Sequence, residues 1–217
     1  MMNNKFQFAG MKIIPITYAR SVIPESMAFR HGAKDKKLPI DFIIYYVETC
    51  GRRILIDAGC DTMPGFEMQD FVGPVKALQL EGIDACDITD VVLTHAHHDH
   101  IEGVRHFSNA VIHIQKDEYA IGKNYIPEDF AVNTFDEELE LCDNFKVLKI
   151  GGHSPGSCIV EIVDGDKIYV VCGDECYVRR CLTERIPTGA SYCRANSEKF
   201  VKKYSDPKYT VLLCHEK

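Results

Sequence analysis

The chain has 217 residues, of which 46% are hydrophobic and 26% charged, and its formal net charge is −7. These proportions are typical of a globular protein that can bury one sizeable core, and they exclude a disordered chain, a collagen and a coiled coil. Nucleic acid is not expected as a partner, because binding it requires a concentrated basic face. We therefore predict a single domain over residues 1–217.

No apolar run reaches the roughly 18 residues that a membrane span requires. Residues 1–10 do not have the basic and apolar segments of a signal peptide. We therefore expect a cytoplasmic protein without a membrane partner. The ten cysteines are scattered, and Cys158, Cys172 and Cys214 lie in apolar runs. In such a protein, buried free thiols are a better interpretation of the cysteines than disulfides.

The first half of the chain begins with segments rich in Ile, Val and Tyr. Strands are predicted at residues 12–16, 42–49 and 53–57, and the turn between the last two contains Gly51. A helix is predicted over residues 70–81, with Pro74 near its first turn and Gly82 as a stop signal. A strand at 90–94, a strand at 110–114 and a short helix at 116–121 follow.

The second half of the chain contains a second strand-rich region. Strands are predicted at residues 146–150, 158–163 and 167–172, with a tight turn at 164–165. A helix near residues 196–204 and a strand at 209–213 follow. Two strand-rich regions that are separated and followed by helices predict an α/β fold, a four-layer αβ/βα sandwich.

The strand predicted at residues 90–94 leads directly into the sequence T-H-A-H-H-D-H. Four of its residues have side chains that zinc and other borderline metals prefer, namely His95, His97, Asp99 and His100. Because metal ligands must converge, we expect this segment to be a loop at the end of the strand. A metal site is a better interpretation than a polar loop, since so many metal-binding side chains directly after an apolar strand are not expected by chance.

Three histidines and one aspartate cannot enclose two metal ions alone, so further ligands must come from elsewhere. His153 lies among turn-forming residues in G-G-H-S-P-G-S, and Asp174 and His215 each follow a predicted strand. Active-site groups tend to gather at strand ends and turns. Taken singly, a Gly-Asp turn is usually structural and a late histidine is usually solvated.

The order H-x-H-x-D-H, G-H-S-P-G, G-D and a late histidine resembles the metallo-β-lactamase superfamily along almost the whole chain. The sequence L-I-D-A-G at residues 55–59 is similar to an early strand of that family. The resemblance implies the layered sandwich of that family and two metal ions, which are zinc or, alternatively, iron or manganese. It implies that one ion is held by His95, His97 and His153, the other by Asp99, His100 and His215, that Asp174 bridges them, and that Asp57 orients a ligand.

The implied chemistry is hydrolysis by a metal-bridging hydroxide, with Asp99 carrying a proton to the leaving group. Tyr177 lies three residues after Asp174, a spacing similar to that in the N-acyl-homoserine lactonases of this superfamily. There, its phenol would donate a hydrogen bond to the developing oxyanion, although a ring that only packs at a strand end is an equal alternative. The partner we expect is a small-molecule ester or lactone.

An apolar wall for an acyl chain is one interpretation of the segment with Met63, Phe66, Met68 and Phe71, and the buried face of a helix is the other. Two residues depart from the lactonase pattern. Ser157 stands where those enzymes often have a histidine, and Glu102 replaces the first of two glycines.

The remaining histidines have no ligand role in this interpretation. We expect His98 to be exposed or close behind the site, and His31, His106 and His113 to have surface or core roles. Two alternatives to a lactonase remain open, a thioesterase similar to glyoxalase II and a non-catalytic metal-binding scaffold or regulator.

Overall fold

Two sheets form the framework of the chain. The computed structural model describes residues 6–8, 11–63, 65 and 67–216. Within these ranges the first sheet has seven strands in the order β1 to β7, which are Phe6–Phe8, Met11–Pro24, Lys37–Thr49, Arg52–Ile56, Asp90–Leu93, Val111–Gln115 and Val132–Phe135. The second has five in the order β12-β11-β10-β9-β8, and β8 to β12 are Glu138–Cys142, Phe145–Lys149, Cys158–Asp164, Lys167–Val171 and Tyr209–Leu212.

Short helices connect these strands. The α-helices α1 to α6 are Glu25–Ala28, Pro74–Leu80, His98–Ile101, Lys116–Gly122, Arg179–Thr183 and Arg194–Tyr204. Single turns of 3₁₀-helix lie at Ala85–Asp87, Glu102–His106, Lys123–Tyr125 and Gly173–Glu175. In the part of the chain that the structure describes, no helix has the length and apolar character needed to cross a membrane.

Helix α2 begins later than predicted. Pro74 is its first residue, and Gly73 before it has a φ of 80°. Proline is well suited to the first helical position because its missing N–H group would have no partner there, and it disfavours helical geometry in the residue before it. The predicted helix start at residue 70 is therefore wrong by four residues.

Strands β2 and β3 are much longer than predicted. Their antiparallel ladder begins where Lys12 pairs with Glu48 and ends where Pro24 pairs with Lys37. The far part of this ladder is less apolar, and an ion pair of 3.0 Å between Arg20 and Asp41 joins the two strands there. In β2 the apolar pattern is interrupted there by Arg20 and Ser21, whereas in β3 Ile40 and Phe42 continue an alternation that the prediction missed.

Alternation along the strands creates the layers. In β4, Ile54 and Ile56 belong to the buried cluster that contains Phe145 and Val160 of the second sheet. Leu55 between them belongs to the cluster that contains residues of the helices α2, α3 and α6. Because successive side chains point to opposite faces of a strand, the two sheets pack face to face and the helices cover their outer faces. The predicted α/β class with two sheets and helices is confirmed.

The cysteines follow the prediction with one exception. Cys158, Cys172 and Cys214 are buried free thiols. Cys50 and Cys142, however, form a disulfide, so the interpretation of the cysteines as free thiols is wrong for this pair. Neither of them lies in an apolar run. Cys50 lies in the turn after β3 and Cys142 ends β8, and the packing of the two sheets brings these positions together.

Reduction of this disulfide is expected to lower the free energy of unfolding by about 2–4 kcal/mol, because the bond closes a long loop in the unfolded chain. Its cysteines are separated by 92 residues. Urea unfolding with and without a reductant measures the effect. The Cys50→Ser/Cys142→Ser variant serves as the control. Its free energy of unfolding should equal that of the reduced native chain and should not change when the reductant is added. Identical unfolding of the native chain under both conditions would contradict the prediction.

Candidate metal centre

Seven side chains from five segments converge at one end of the two sheets. Their ligand atoms form two groups, within each of which the atoms lie within 4.8 Å of one another. The first ligand group is His95, His97, His153 and Asp174, and the second ligand group is Asp99, His100 and His215. These are the seven residues that the sequence motifs predicted, and the structure brings all of them together.

The carboxylate of Asp174 faces both groups. Its Oδ1 lies 3.1 Å from Nε2 of His100 and 3.0 Å from Nε2 of His215. Its Oδ2 lies 3.3 Å from Nε2 of His153, in the first ligand group. Asp174 follows β11 in a single turn of 3₁₀-helix, which aims the side chain between the groups. This arrangement is compatible with a bridging role for Asp174.

The histidine motif is only partly a loop. Strand β5 ends at Leu93, residues 94–97 are irregular, and helix α3 begins at His98. The irregular part allows His95 and His97 to approach each other, with 3.0 Å between Nε2 of His95 and Nδ1 of His97. The predicted loop is therefore shorter than the motif, because its second half continues as a helical turn that carries Asp99 and His100.

Asp57 ties this motif to the neighbouring strand. It follows β4, and its carboxylate accepts hydrogen bonds from the backbone N–H of Thr94 at 2.7 Å and from the hydroxyl of Thr94 at 3.0 Å. The same carboxylate lies 2.8 Å from Nδ1 of His100. The predicted contact between Asp57 and a candidate ligand is therefore present. The backbone φ of Asp57 is 61°, a left-handed conformation that aspartate tolerates better than most residues.

In most of these imidazoles, the ring nitrogen that points away from the centre donates a hydrogen bond to a fixed acceptor. Nδ1 of His153 lies 2.6 Å from the carbonyl oxygen of Ala190, and Nδ1 of His215 lies 3.0 Å from the carbonyl oxygen of Asp41. A carbonyl oxygen only accepts, so each Nδ1 carries the hydrogen. In the neutral form of each ring, which is the form that binds a metal, the lone pair of Nε2 therefore points into the centre. This is the usual arrangement for histidines that bind metals.

In His95 the hydrogen on Nδ1 is fixed by Thr94. The hydroxyl hydrogen of Thr94 goes to Asp57, so the hydroxyl oxygen accepts from Nδ1 of His95 at 3.1 Å. Nε2 of His95 then also presents a lone pair to the centre. Burial lowers the pKa of His95 well below its ordinary value, and the nearby His100 lowers it further. Neutral imidazole is the form that binds a metal.

The donor atoms fit a metal ion better than they fit one another. Nδ1 of His97 lies 3.0 Å from Nε2 of His95 and 2.8 Å from Nε2 of His153, and a single hydrogen cannot satisfy all three nitrogens. In the second ligand group, Nε2 of His100 is buried and has no hydrogen-bond partner among the described residues. Converging lone pairs of nitrogen and carboxylate oxygen are the chemistry of a zinc site or of a similar divalent metal.

A cavity of about 220 Å³ opens over the two groups. Most of its lining is apolar, and the lining residues include Ile23, Met27, Ile40, Phe42, Met63, Tyr177 and Ala190 together with five of the candidate ligands. The first four belong to β2, α1 and β3, in parts of the chain whose structure the sequence pattern indicated only incompletely. Alternation of Ile40 and Phe42 along β3 was the signal that could have found them.

Tyr177 is nine-tenths buried, and its ring stacks on the ring of His215 with 4.7 Å between the centroids. Burial raises the pKa of its phenol well above the ordinary value, and the negative charge of Asp174 adds to this effect. Tyr177 is therefore a neutral hydrogen-bond donor at the edge of the cavity. The assignment of an oxyanion role to it stays a prediction.

The predicted apolar wall is only partly present. Met63 lines the cavity, whereas Met68 packs against the main core without lining it. Phe71 is 43% exposed, and Phe66 lies outside the described residues.

Both departures from the lactonase pattern are built into local contacts. Ser157 donates a hydrogen bond of 2.5 Å from its hydroxyl to Oε1 of Glu175. Glu102 is almost buried, accepts a hydrogen bond of 2.6 Å from the backbone of Asp61, and forms an ion pair with Arg105. Neither residue displaces a candidate ligand.

The other histidines lie outside the two groups. His98 is half-buried and hydrogen-bonds to the carbonyl oxygen of Thr62, His31 is exposed, and exposed His106 pairs with Asp61. His113 is buried and lies 2.9 Å from Asp90. These positions agree with the surface and core roles that we expected.

Comparison with known proteins identifies the family. Residues 44–215 match the profile of the metallo-beta-lactamase superfamily, so the chain belongs to that superfamily. A probable metallo-hydrolase of Methanocaldococcus jannaschii is 29% identical over 142 residues, which are 65% of this chain and 64% of that protein. The chain thus matches slightly less than two thirds of that relative's length. The predicted resemblance to this superfamily is confirmed. The predicted class of metal-dependent hydrolase agrees with the description of this relative as a probable metallo-hydrolase.

Solved structures of lactonases have the same fold. One is an N-acyl homoserine lactone hydrolase with the product N-hexanoyl-L-homoserine at its catalytic metal centre, with a TM-score of 0.81, 19% identity and coverage of 100% of this chain and 94% of that chain. Another is the dizinc quorum-quenching lactonase AidC, with a TM-score of 0.78, 22% identity and coverage of 99% and 90%. At these identities the likeness concerns the fold alone.

Proposed function

We propose that this chain is a dinuclear metal-dependent hydrolase that opens a cyclic ester of the N-acyl-homoserine lactone kind. The observation that carries the proposal is the apolar cavity directly over the two ligand groups, with Tyr177 and Asp99 in its lining. Metal ions bound by the seven residues would supply Lewis acidity and an activated water at neutral pH. In the reaction, water adds to the carbonyl carbon, the ring C–O bond breaks, and a hydroxy acid results.

Asp99 is suited to move the proton of this reaction. Its side chain is 16% exposed and lines the cavity, and its Oδ2 lies 3.4 Å from Nε2 of His100. Burial acts to raise the pKa of Asp99, but the positive charge of the nearby His100 lowers it below its usual range. The carboxylate is therefore ready to accept a proton from the attacking water and to return it to the leaving alkoxide.

Tyr177 is suited to hold the carbonyl oxygen of the substrate. A neutral, nearly buried phenol beside Asp174 can donate its hydrogen to an oxygen that gains negative charge in the transition state. Stacking on His215 restricts the ring to one orientation. A preorganised donor of this kind stabilises the transition state more than the ground state.

The lining of the cavity favours an uncharged, aliphatic substrate. No lysine or arginine is found among the described residues that line it. A glutathione thioester carries carboxylates that need a cationic partner, so this lining argues against the thioesterase alternative. The aliphatic side chains of Ile23, Met27 and Ile40 offer an acyl chain a surface that strengthens binding through apolar burial.

The experiment that tests the proposal is hydrolysis of acyl-homoserine lactones of short and long chain by zinc-loaded protein. We expect ring opening, and we expect Tyr177→Phe to lower kcat by roughly 10²-fold with a smaller change in KM, because the phenol acts in the transition state. Tyr192→Phe is the matched control, since Tyr192 is 69% exposed and outside the cavity lining.

Two outcomes of this experiment would contradict the proposal. Absence of ring opening by protein that holds two metal ions would overturn the lactonase assignment. Turnover of thioesters in its place would favour the glyoxalase II-like alternative, and no turnover of any ester would favour the scaffold. If Tyr177→Phe retained the rate of the native chain, the role of the phenol would be wrong.

A further inference from the structure

Two buried glutamates outside the seven candidate ligands contact the segments that carry the first ligand group. Glu118 is 1% exposed and Glu175 is fully buried. Neither carboxyl group forms an ion pair with a lysine or arginine among the described residues. Both oxygens of Glu118, and Oε1 of Glu175, accept hydrogen bonds from backbone N–H groups and hydroxyls, whereas Oε2 of Glu175 is buried without a hydrogen-bond partner among the described residues. We propose that Glu118 and Glu175 are positioning residues that preorganise the first ligand group for its metal ion. This inference rests on the metal site of the proposed function.

Glu118 joins two separate ligand segments. Its Oε2 accepts a hydrogen bond of 2.8 Å from the backbone N–H of Ala96, the residue between His95 and His97. Its Oε1 accepts a hydrogen bond of 2.7 Å from the hydroxyl of Ser154 and another of 2.8 Å from the backbone N–H of Gly156. One carboxyl group therefore fixes the distance between the segment with His95 and His97 and the segment with His153.

Glu175 joins the segment of His153 to the segment of Asp174. It directly follows Asp174 in the chain, and its Oε1 accepts hydrogen bonds of 3.0 Å from the backbone N–H groups of both Gly152 and His153. The hydroxyl of Ser157 donates to the same oxygen at 2.5 Å. Together the two glutamates connect all three segments that supply the first ligand group.

The glycines of G-G-H-S-P-G-S allow these close contacts. A Cβ atom on Gly152 would lie 2.2 Å from Oε2 of Glu175, and a Cβ atom on Gly156 would lie 2.0 Å from Oε1 of Gln115, which caps the helix that carries Glu118. Both distances are far too short for real atoms. The motif therefore holds His153 in a backbone that packs directly against the side chains around the two glutamates.

The second ligand group has a different support. Its His100 is held by Asp57, and its His215 is held by the carbonyl oxygen of Asp41. No hydrogen bond from Glu118 or Glu175 reaches Asp99, His100 or His215 among the described residues. Loss of a glutamate contact is therefore expected to lower the affinity for the first ion, which the first ligand group binds, and to leave the affinity for the second ion unchanged. A general structural role would instead lower stability without distinguishing the two ions.

The test is a cobalt(II) titration of metal-free protein against a competing chelator, with the d–d absorption of cobalt as the reading of coordination. In Glu118→Gln, an NH₂ group replaces one acceptor and faces a buried N–H or O–H donor. We expect the affinity for the first ion to fall by about 10–100-fold, as is typical when a partner of a metal ligand is lost, and the affinity for the second to stay unchanged. Ser154→Ala should lower the affinity for the first ion by several-fold. This variant removes one hydroxyl and no backbone contact, so it serves as the test if Glu118→Gln does not fold.

Glu161→Gln is the matched control. Glu161 accepts a hydrogen bond of 2.6 Å from the hydroxyl of Tyr204, so it joins β10 to α6 and touches no ligand segment. Its replacement should leave both cobalt affinities unchanged. The inference would be overturned if Glu118→Gln bound the first ion with the affinity of the native chain, and the proposed function would remain intact. If Glu118→Gln is unfolded, the same result in Ser154→Ala would overturn the inference. A native chain that binds no cobalt would overturn both.

Discussion

Asp174→Ala is expected to abolish the binding of both metal ions and to lower the rate of lactone opening by on the order of 10³-fold or more. Asp174 is the residue whose two oxygens face both ligand groups, at 3.0 Å from His215 and 3.3 Å from His153. Its removal takes the carboxylate donor from the first ligand group and the oxygen that faces His100 and His215 of the second. It also leaves Asp99 as the one carboxylate among the remaining candidate ligands to offset the charge of the bound ions.

Metal analysis after gel filtration and the rate on a lactone measure this effect. Asp206→Ala is the control, because the carboxylate of Asp206 caps the turn before β12 and accepts a hydrogen bond from the backbone N–H of Lys208, away from both ligand groups. Its metal content and rate should equal those of the native chain. The bridging role of Asp174 would be wrong if Asp174→Ala still bound two ions, even with a lower rate.

Asp99→Asn is expected to have the second largest effect. The amide keeps the size of the carboxylate but cannot accept the proton of the attacking water, so kcat should fall by about 10²–10⁴-fold with little change in KM. Because Asp99 belongs to the second ligand group, the second ion should bind more weakly and the first should bind as in the native chain.

Steady-state kinetics at saturating zinc, together with the cobalt titration, separate these two effects. If saturating metal restored the rate of Asp99→Asn to the native value, Asp99 would be a ligand only, and another group would carry the proton. If both ions were lost together, the division into two ligand groups would be wrong. Asp129→Asn, in the loop before β7, offers a control that lies outside both groups.

The metal-ligand motif could be predicted because its chemistry is local in the chain. His95, His97, Asp99 and His100 lie within six positions directly after an apolar strand, and the spacing alone restricts what such residues can do. The single ligands were weaker predictions. His153 and Asp174 have ordinary interpretations as turn residues, and only their order along the chain, as in the superfamily, made them candidates.

The positions of most strands also followed from the sequence. The predicted strand at 158–163 corresponds to Cys158–Asp164, and the predicted strand at 167–172 corresponds to Lys167–Val171. These elements have strong alternation or continuous apolar runs and clear turn residues between them. The far halves of β2 and β3 were missed, because Arg20 and Ser21 interrupt the apolar pattern of β2 and the alternation of Ile40 and Phe42 in β3 is short.

The sequence by itself thus determined the class of fold, the family and the seven candidate ligands, since these depend on short motifs and on the order of those motifs along the chain. Only the tertiary structure decided three other features. Glu118 meets Ala96 and Gly156 across 22 and 38 positions of the chain, the disulfide joins residues 92 positions apart, and the apolar cavity combines β2, α1 and β3 with the ligand segments. Such contacts have no local pattern, because they arise only when the two sheets pack and bring distant strand ends together.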